Sequence, residues 1–256
     1  MARLAGPQQL RGGGRFSRGG GADFVPTDIS GLVLWLKADE MVADGNAAAD
    51  GDAVATWTDH SGTSNNATQS TAANKPIYKT NIVNGKPVIR CNADSGTAQY
   101  MLTANNDPTN PSTRIVVAKN TSSVAGYGYR CALDVDPTTQ SMLVTNPATT
   151  GSGTWRAYAG AYLNSTVDAA TTFKIAAAGL NGASSYIRVN GAVTSGNTGA
   201  QEATGKTSIG GSSSGDTQNS WTGDIAEVLV YNSKLATADA ASVEAYLADK
   251  YGITLS

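Results

Sequence analysis

The sequence predicts an all-β protein built as an antiparallel sandwich of two sheets with a jelly-roll course, and three observations indicate this. Many short runs of strand-forming residues are separated by turn signals such as Asn84-Gly85 and Asn190-Gly191. Residues 225–231 alternate apolar side chains on both faces, as in a central strand covered on both sides. The 29 glycines and 15% charged residues are typical of a turn-rich protein with an uncharged polar surface.

Alternation and turn spacing give the expected strands in chain order. They cover residues 32–37, 54–59, 77–79, 87–91, 100–103, 114–119, 129–135, 141–144, 156–162, 173–180, 185–189, 207–209 and 225–231. Short strands in this number need two packed sheets, because one twisted sheet of that width curls or splits.

One helix is predicted at the end of the chain, over residues 237–251. Thr237 is the expected N-cap, with Asp239 in the first turn, and Gly252 is the expected left-handed C-cap. The apolar face at helical spacing consists of Ala240, Val243, Tyr246, Leu247 and Tyr251. This amphipathic helix is expected to lie against the sandwich.

Several motifs resemble those of a known family. Ile209-Gly210-Gly211, a polar loop, and then Trp221-x-Gly223-x-Ile225 resemble the closing strands of laminin G-like, concanavalin A-like sandwiches. Residues 186–191 (Tyr-Ile-Arg-Val-Asn-Gly) resemble the strand and turn before them, and residues 31–39 with 57–62 resemble the opening strands. The resemblance implies a laminin G-like domain over residues 29–256, of the kind found in phage structural proteins. It implies the fold and leaves the ligand open.

Residues 1–28 are predicted to form an extended N-terminal arm. The first 22 residues are rich in glycine, hold no acid and cannot bury enough apolar surface to fold alone. We expect a neighbouring subunit or an anionic surface to hold the arm. Nucleic acid is not an expected partner, because the arm has only four arginines and the whole chain has a net charge of −2. The arm residues expected to make contacts are Arg3, Arg11, Arg15, Phe16 and Arg18.

Catalysis is not expected. Glucanases on this kind of fold place carboxylates at alternate positions of one strand, and no glutamate here has another acid two residues away. Glu227 is expected to be hydrogen-bonded within the sandwich. His60 is the one histidine, and the adjacent Asp59 would point away from it along an extended chain, so a nucleophilic triad is not predicted.

Calcium is the one cofactor that the sequence suggests, and no metal site is assigned. Asp44, Asp50 and Asp52 could supply oxygen ligands from one loop, and Asp134 with Asp136 from another. The same residue types also favour turns without any metal.

A sugar site would need aromatic rings beside polar groups. Tyr127, Tyr129, Trp155 and Tyr158 are the candidates for such a surface, and core packing is the alternative for each of them.

The cysteines and the N-terminus bear on the compartment. Cys91 and Cys131 fall in expected strands. The sequence is consistent both with two buried thiols and with one disulfide between them. No apolar run approaches the roughly 20 residues that span a bilayer. The N-terminus lacks the apolar stretch of a secretory signal. We therefore expect synthesis in the cytosol and no membrane partner.

Together these features favour a non-enzymatic structural protein of a virus particle, a tailed-phage capsid decoration or accessory protein that docks through its arm. It would be located in the virion, assembled in the host cytoplasm. Its partners would be the major capsid protein and further copies of itself as a homo-oligomer. The alternative is a carbohydrate-binding adhesin module of a tail fibre or a bacterial surface protein, with a glycan as its partner.

Overall fold

The computed structural model describes residues 24–43, 46–106, 108–122, 129–136, 142–145, 153–169, 172–202, 204–211 and 216–256. Nearly all regular structure in these ranges is β. The strands are β1 (Leu32–Lys37), β2 (Val42–Ala43), β3 (Asn46–Ala47), β4 (Thr56–Trp57), β5 (Ala67–Thr68), β6 (Ile77–Val83), β7 (Lys86–Asn92), β8 (Met101–Asn106), β9 (Ser112–Asn120), β10 (Arg130–Asp136), β11 (Met142–Thr145), β12 (Thr154–Tyr158), β13 (Tyr162–Asp168), β14 (Lys174–Leu180), β15 (Ser185–Val189), β16 (Ala192–Gly196), β17 (Lys206–Ile209) and β18 (Thr222–Tyr231). The helix α1 covers Thr237–Tyr251, and 3-10 turns lie at Pro26–Asp28, Ala38–Glu40, Ala72–Asn74, Ala93–Ser95 and Gly182–Ser184.

Two eight-stranded sheets form the predicted antiparallel sandwich. The first sheet has the order β16-β15-β14-β9-β18-β7-β6, and β1 also pairs with β18. The second sheet has the order β13-β12-β11-β10-β17-β8-β5-β4, and β2 and β3 form a separate hairpin. The expected Asn-Gly turns join β6 to β7 and β15 to β16, with positive φ at both residues of each turn.

Strand β18 is the centre of the first sheet, as its two-sided apolar pattern predicts. β9 pairs along one side, while β7 and β1 share the other side. All of its residues are buried. Val228 faces the core between the sheets, and Leu229 faces the helix.

Aromatic and branched side chains from both sheets fill the core between them. The largest are Trp57, Trp155 and Trp221, each almost fully buried. Cys91 and Cys131 are also buried, and they are not bonded to each other. The structure therefore agrees with the interpretation of two buried thiols.

Helix α1 covers the outer face of the first sheet with the predicted apolar residues. Its C-terminus is as predicted, because Gly252 is left-handed (φ 65°) and the Ile253 N–H donates to the Ala248 carbonyl at 3.0 Å. The predicted N-cap was wrong. Ala236 holds that position without a side-chain hydrogen bond, and Thr237 is the first helical residue.

Two predicted strands were also wrong in extent. Residues 54–59 form a strand only at β4, because the chain on either side makes isolated bridges, Ala53 to Ile77 and Asp59 to Leu36. Residues 156–162 are not one strand but the facing ends of β12 and β13, which turn back on each other.

Candidate functional site

A tight turn between β12 and β13 creates the most distinctive surface feature of the described residues. Gly160 has a φ of +105°, a left-handed value that glycine adopts without strain. The backbone N–H groups on both sides of it donate to the Thr198 carbonyl at 2.8 Å. The turn places Tyr158 directly opposite Tyr162 in the antiparallel register.

Three phenol rings and one guanidinium group meet at this turn. We call Tyr129, Arg156, Tyr158 and Tyr162 the tyrosine cluster. Tyr129 stacks on Tyr162 with ring centroids 4.8 Å apart, and Tyr158 lies 4.6 Å from Tyr162. The Arg156 guanidinium lies 5.7 Å from the Tyr129 ring and 5.6 Å from the Tyr162 ring, within cation–π range.

The tyrosine cluster lies on the outer face of the second sheet. Trp155 and Ala157 point into the core between the sheets, so the alternating Arg156 and Tyr158 point outward. The helix covers the other sheet, so it does not cover this face. Tyr162 keeps 36% of its surface exposed.

Buried Cys131 contacts Tyr129 and Tyr158 beneath the cluster. Burial raises the pKa of the Cys131 thiol well above its usual value. The side chain is therefore uncharged, and the tyrosine rings pack on it as on an apolar group. Burial and a hydrogen bond with Tyr129 raise the pKa of Tyr162. The phenol therefore stays protonated, and able to donate, throughout the physiological range.

The structure brings two of the predicted aromatic residues into one cluster, and their binding of a sugar stays a prediction. Tyr129 and Tyr158 each pack against Tyr162 and Cys131, whereas Trp155 lies in the core with 1% exposure. Tyr127 lies outside the described residues. The sequence reasoning missed Tyr162, and the signal that could have found it is the lone Gly160 midway between two tyrosines.

Glu227 is bonded within the sandwich, as expected. The Trp35 indole donates to Oε1 at 2.6 Å, and the Tyr251 hydroxyl donates to Oε2 at 2.7 Å. The Lys250 ammonium binds Oε2 at 2.7 Å and Asp39 at 2.9 Å. These contacts join β1, β18 and the helix around a carboxylate that has no exposed surface.

Asp59 and His60 do not form a catalytic pair. The Asp59 carboxylate accepts backbone N–H groups of Trp35, Ser61 and Asn65 at 2.8–2.9 Å, which orders the loop after β4. His60 Nδ1 lies instead 3.4 Å from a Glu40 oxygen. Burial lowers the pKa of His60, and the nearby Lys37 lowers it further.

The predicted calcium residues do not converge where the structure describes them. Asp50 pairs with Lys79 and accepts the Thr80 N–H, while Asp52 accepts the Ala49 N–H. Within the described ranges no three His, Cys, Asp or Glu side chains are grouped to hold a metal ion. Asp44 lies outside those ranges.

The second set of calcium candidates was expected in a loop, although Asp134 also falls within the predicted strand 129–135. Asp134 and Asp136 belong to strand β10 and not to a loop. The arm residues, by contrast, lie outside the part of the chain that the structure describes: Arg3, Arg11, Arg15, Phe16 and Arg18.

The comparisons with known proteins inform the fold. No protein-family model matches the chain, and no curated protein matches it by sequence. Among solved structures, the chain is similar to the binding domain of Paraclostridial Mosquitocidal Protein 1, with a TM-score of 0.59 and 11% identity over 87% of this chain and 53% of that one. At this identity the likeness shows a shared fold alone.

Two further similarities are more distant. Trypanosoma rangeli sialidase has a TM-score of 0.48 at 13% identity, over 83% of this chain and 32% of that one. Domain 4 of AbnA, a GH43 extracellular arabinanase from Geobacillus stearothermophilus, has a TM-score of 0.45 at 11% identity, over 84% of this chain and 98% of that domain. The chain thus spans about one third of the sialidase and about half of the mosquitocidal structure.

The described residues thus form an antiparallel β-sandwich with one aromatic cluster on the outer face of its second sheet. No helix of the described residues has the length and apolar character needed to cross a bilayer.

Proposed function

We propose that this protein is a non-enzymatic carbohydrate-binding module and that the tyrosine cluster is its binding surface. The observation that carries the proposal is the meeting of three tyrosine rings and one arginine on the outer face of the second sheet. Tyr162 is exposed and the other two rings are partly buried, and an exposed aromatic group of this size often marks a binding site.

The chemistry of the cluster fits a sugar. A pyranose ring has an apolar C–H face that packs on an aromatic ring, and a rim of hydroxyls that needs polar partners. Tyrosine supplies both an apolar body and a polar tip, and the Arg156 guanidinium adds several donors in a fixed plane. The binding surface therefore needs no large pocket.

The cluster is also held in place before any ligand binds. Tyr158 and Tyr162 project from paired strands joined by a tight turn, and Tyr129 is stacked on Tyr162. Side chains with few rotatable bonds on regular strands lose little entropy when they bind. The fold shared with a domain that is itself named a binding domain supports a binding role.

The absence of catalysis is part of the proposal. Glu227 accepts hydrogen bonds from Trp35 and Tyr251 and forms an ion pair with Lys250. It has no exposed surface from which to reach a glycosidic bond. Glycoside hydrolysis commonly needs two accessible carboxyl groups across the scissile bond. Release of reducing ends from β-glucans, abolished by Glu227→Gln, would contradict this.

A glycan array tests the binding proposal. The wild-type domain and the variants Tyr162→Ala and Val193→Ala would be applied to the same array. Val193 is 49% exposed on β16 of the first sheet, so its truncation is a matched control. We expect Tyr162→Ala to lose most of the signal, about tenfold or more, and the control to keep it. Binding by the wild type that Tyr162→Ala leaves unchanged would contradict the proposal.

The second candidate is the virion role, which the Gly/Arg-rich composition of residues 1–22 favours. Such an arm has to gain external contacts that offset an ordering cost of about 1–2 kcal/mol per residue. Arginines suit carboxylates or carbonyl groups in a groove between capsid subunits, where a planar fork binds better than an ammonium group. In this role the major capsid protein and further copies of the chain are the partners, and the virion is the location.

The arm can be tested by truncation. A chain that starts at Asp23 would be mixed with phage particles stripped of this protein. Loss of binding by a truncated chain that still folds supports the docking arm, and unchanged affinity contradicts it.

A further inference from the structure

A groove of about 520 Å³ lies at the far end of the second sheet from the tyrosine cluster. It opens beside β4, β5, β8 and β17, whereas the cluster belongs to β12, β13 and the start of β10. Four strand spacings separate β12 from β8, which corresponds to about 19 Å across the sheet.

The groove and the cluster share one face of the sheet. Ala67 and Met101 point into the core between the sheets. The alternating Thr68 and Leu102 therefore point outward, and both line the groove. A ligand extended across the strands could contact both places.

Two lysines give the groove a positive charge. Lys75 and Lys206 line it, and none of its lining residues is acidic. Asp136 stands opposite Lys206 in the register of β10 and β17. Neither lysine ammonium has an ion pair within the described part of the chain, in contrast to Lys79, which pairs with Asp50 at 2.5 Å.

The floor of the groove is fixed by a buried amide. Gln69 donates to the Tyr100 carbonyl at 3.0 Å and accepts the Thr71 N–H at 3.0 Å. The Lys75 carbonyl accepts the Gln99 amide at 3.1 Å, which anchors the backbone that carries this lysine. The remaining lining is rich in threonine and serine hydroxyls, which suit the hydroxyls of a sugar.

We propose that this groove binds a carboxylate-bearing sugar residue, so that the ligand of the module is an acidic oligosaccharide. This inference rests on the proposed function, because it takes the ligand to be a glycan. It adds that the glycan carries negative charge and that it contacts the groove as a second site. The volume is large for a lone inorganic anion, and two lysines on a chain of net charge −2 are too few to hold a nucleic acid backbone.

Calorimetric titration with uronate oligosaccharides tests the proposal. The probes are tetramers of galacturonate, mannuronate and glucuronate, each beside its neutral methyl ester. We expect the wild type to bind at least one acid form about tenfold more tightly than its ester. Lys75→Gln and Lys206→Gln should each weaken the acid form about threefold to tenfold and leave the ester unchanged.

Lys119→Gln is the matched control, because it removes the same charge from β9 of the other sheet. It should bind both forms as the wild type does. Urea midpoints equal to that of the wild type would show that the lysine variants fold. Equal affinity for acid and ester, or no binding of any acid tetramer, would overturn the proposal.

The two proposals fail in different ways. If Tyr162→Ala abolishes binding of a neutral glycan and the wild type shows no preference for acid forms, the tyrosine cluster is supported as the binding surface and the acidic subsite is contradicted. If acid binding depends on the lysines but survives Tyr162→Ala, the groove stands and the tyrosine cluster is not the binding surface.

Discussion

Replacing Lys250 with methionine should destabilise the domain, because it leaves a fully buried carboxylate without its cation. Glu227 has no exposed surface, and the Lys250 side chain is 11% exposed. Removing one partner of a buried ion pair typically costs 3–5 kcal/mol. The Trp35 indole and the Tyr251 hydroxyl would still donate to Glu227, so we expect the lower end, about 3 kcal/mol in the free energy of unfolding.

Urea unfolding followed by tryptophan fluorescence measures this change. Adding Glu227→Gln to the Lys250→Met variant removes the unpaired charge, so the double variant should be more stable than the sum of the two single losses. Lys79→Met is the control, because its partner Asp50 is exposed, and it should leave the midpoint nearly unchanged. A loss below about 1 kcal/mol for Lys250→Met, or additive losses in the double variant, would refute the reasoning.

The same pair predicts a pH dependence. Burial alone would lower the pKa of Lys250, but Glu227 and Asp39 outweigh it and raise the folded pKa. A raised lysine pKa contributes stability that is fully present below the unfolded value of about 10.4 and is lost as the pH rises through the folded value. The stability difference between wild type and Lys250→Met should therefore persist across neutral pH and shrink only in strong alkali.

Three further predictions concern the fold. Asp59→Asn should cost about 2 kcal/mol in unfolding free energy. Burial raises the pKa of Asp59, but three backbone N–H groups lower it below 3.8 overall. The unfolding free energies of wild type and Asp59→Asn should therefore converge as the pH falls through this lowered value. Gly223→Ala should cost at least about 2 kcal/mol in urea unfolding, because φ is +148° and a Cβ would overlap the Lys119 carbonyl oxygen of β9; a wild-type midpoint would contradict this. Cys91 and Cys131 should not react with an aromatic disulfide reagent until urea unfolds the chain. Burial raises the pKa of Cys91 to about 12 and that of Cys131 well above its usual value, so neither thiol forms the reactive thiolate in the native protein. Immediate reaction of the native protein would contradict this.

Local chemistry decided which elements could be predicted from the sequence. Residues 32–37, 185–189 and 237–251 were predicted with the bounds that the structure shows. In each case the signal is local: strand alternation, an Asn-Gly turn with left-handed φ, or a helical face that ends at Gly252. The central place of β18 also followed from its own residues, because only a strand covered on both sides is apolar on both faces.

The candidate site could not be predicted in the same way. The segment from Tyr158 to Tyr162 holds no strong turn dipeptide, and its reversal depends on two N–H bonds to Thr198, far away in sequence. Tyr129 reaches the cluster only through the order of β10, β11 and β12 in the second sheet. Long-range pairing also places Lys75 and Lys206 around one groove. Sequence patterns identify strand faces, but they do not show which distant strands become neighbours.

Mapping of amide chemical shifts tests the central claim most directly. The labelled domain would be titrated with the strongest glycan from the array. We predict that the largest shifts fall on β12, β13 and the start of β10, around Tyr158, Tyr162 and Cys131, and that they disappear in Tyr162→Ala. Shifts confined to the helix-covered face of the first sheet, or to the ends of the sandwich, would contradict the assignment of the tyrosine cluster as the carbohydrate-binding surface.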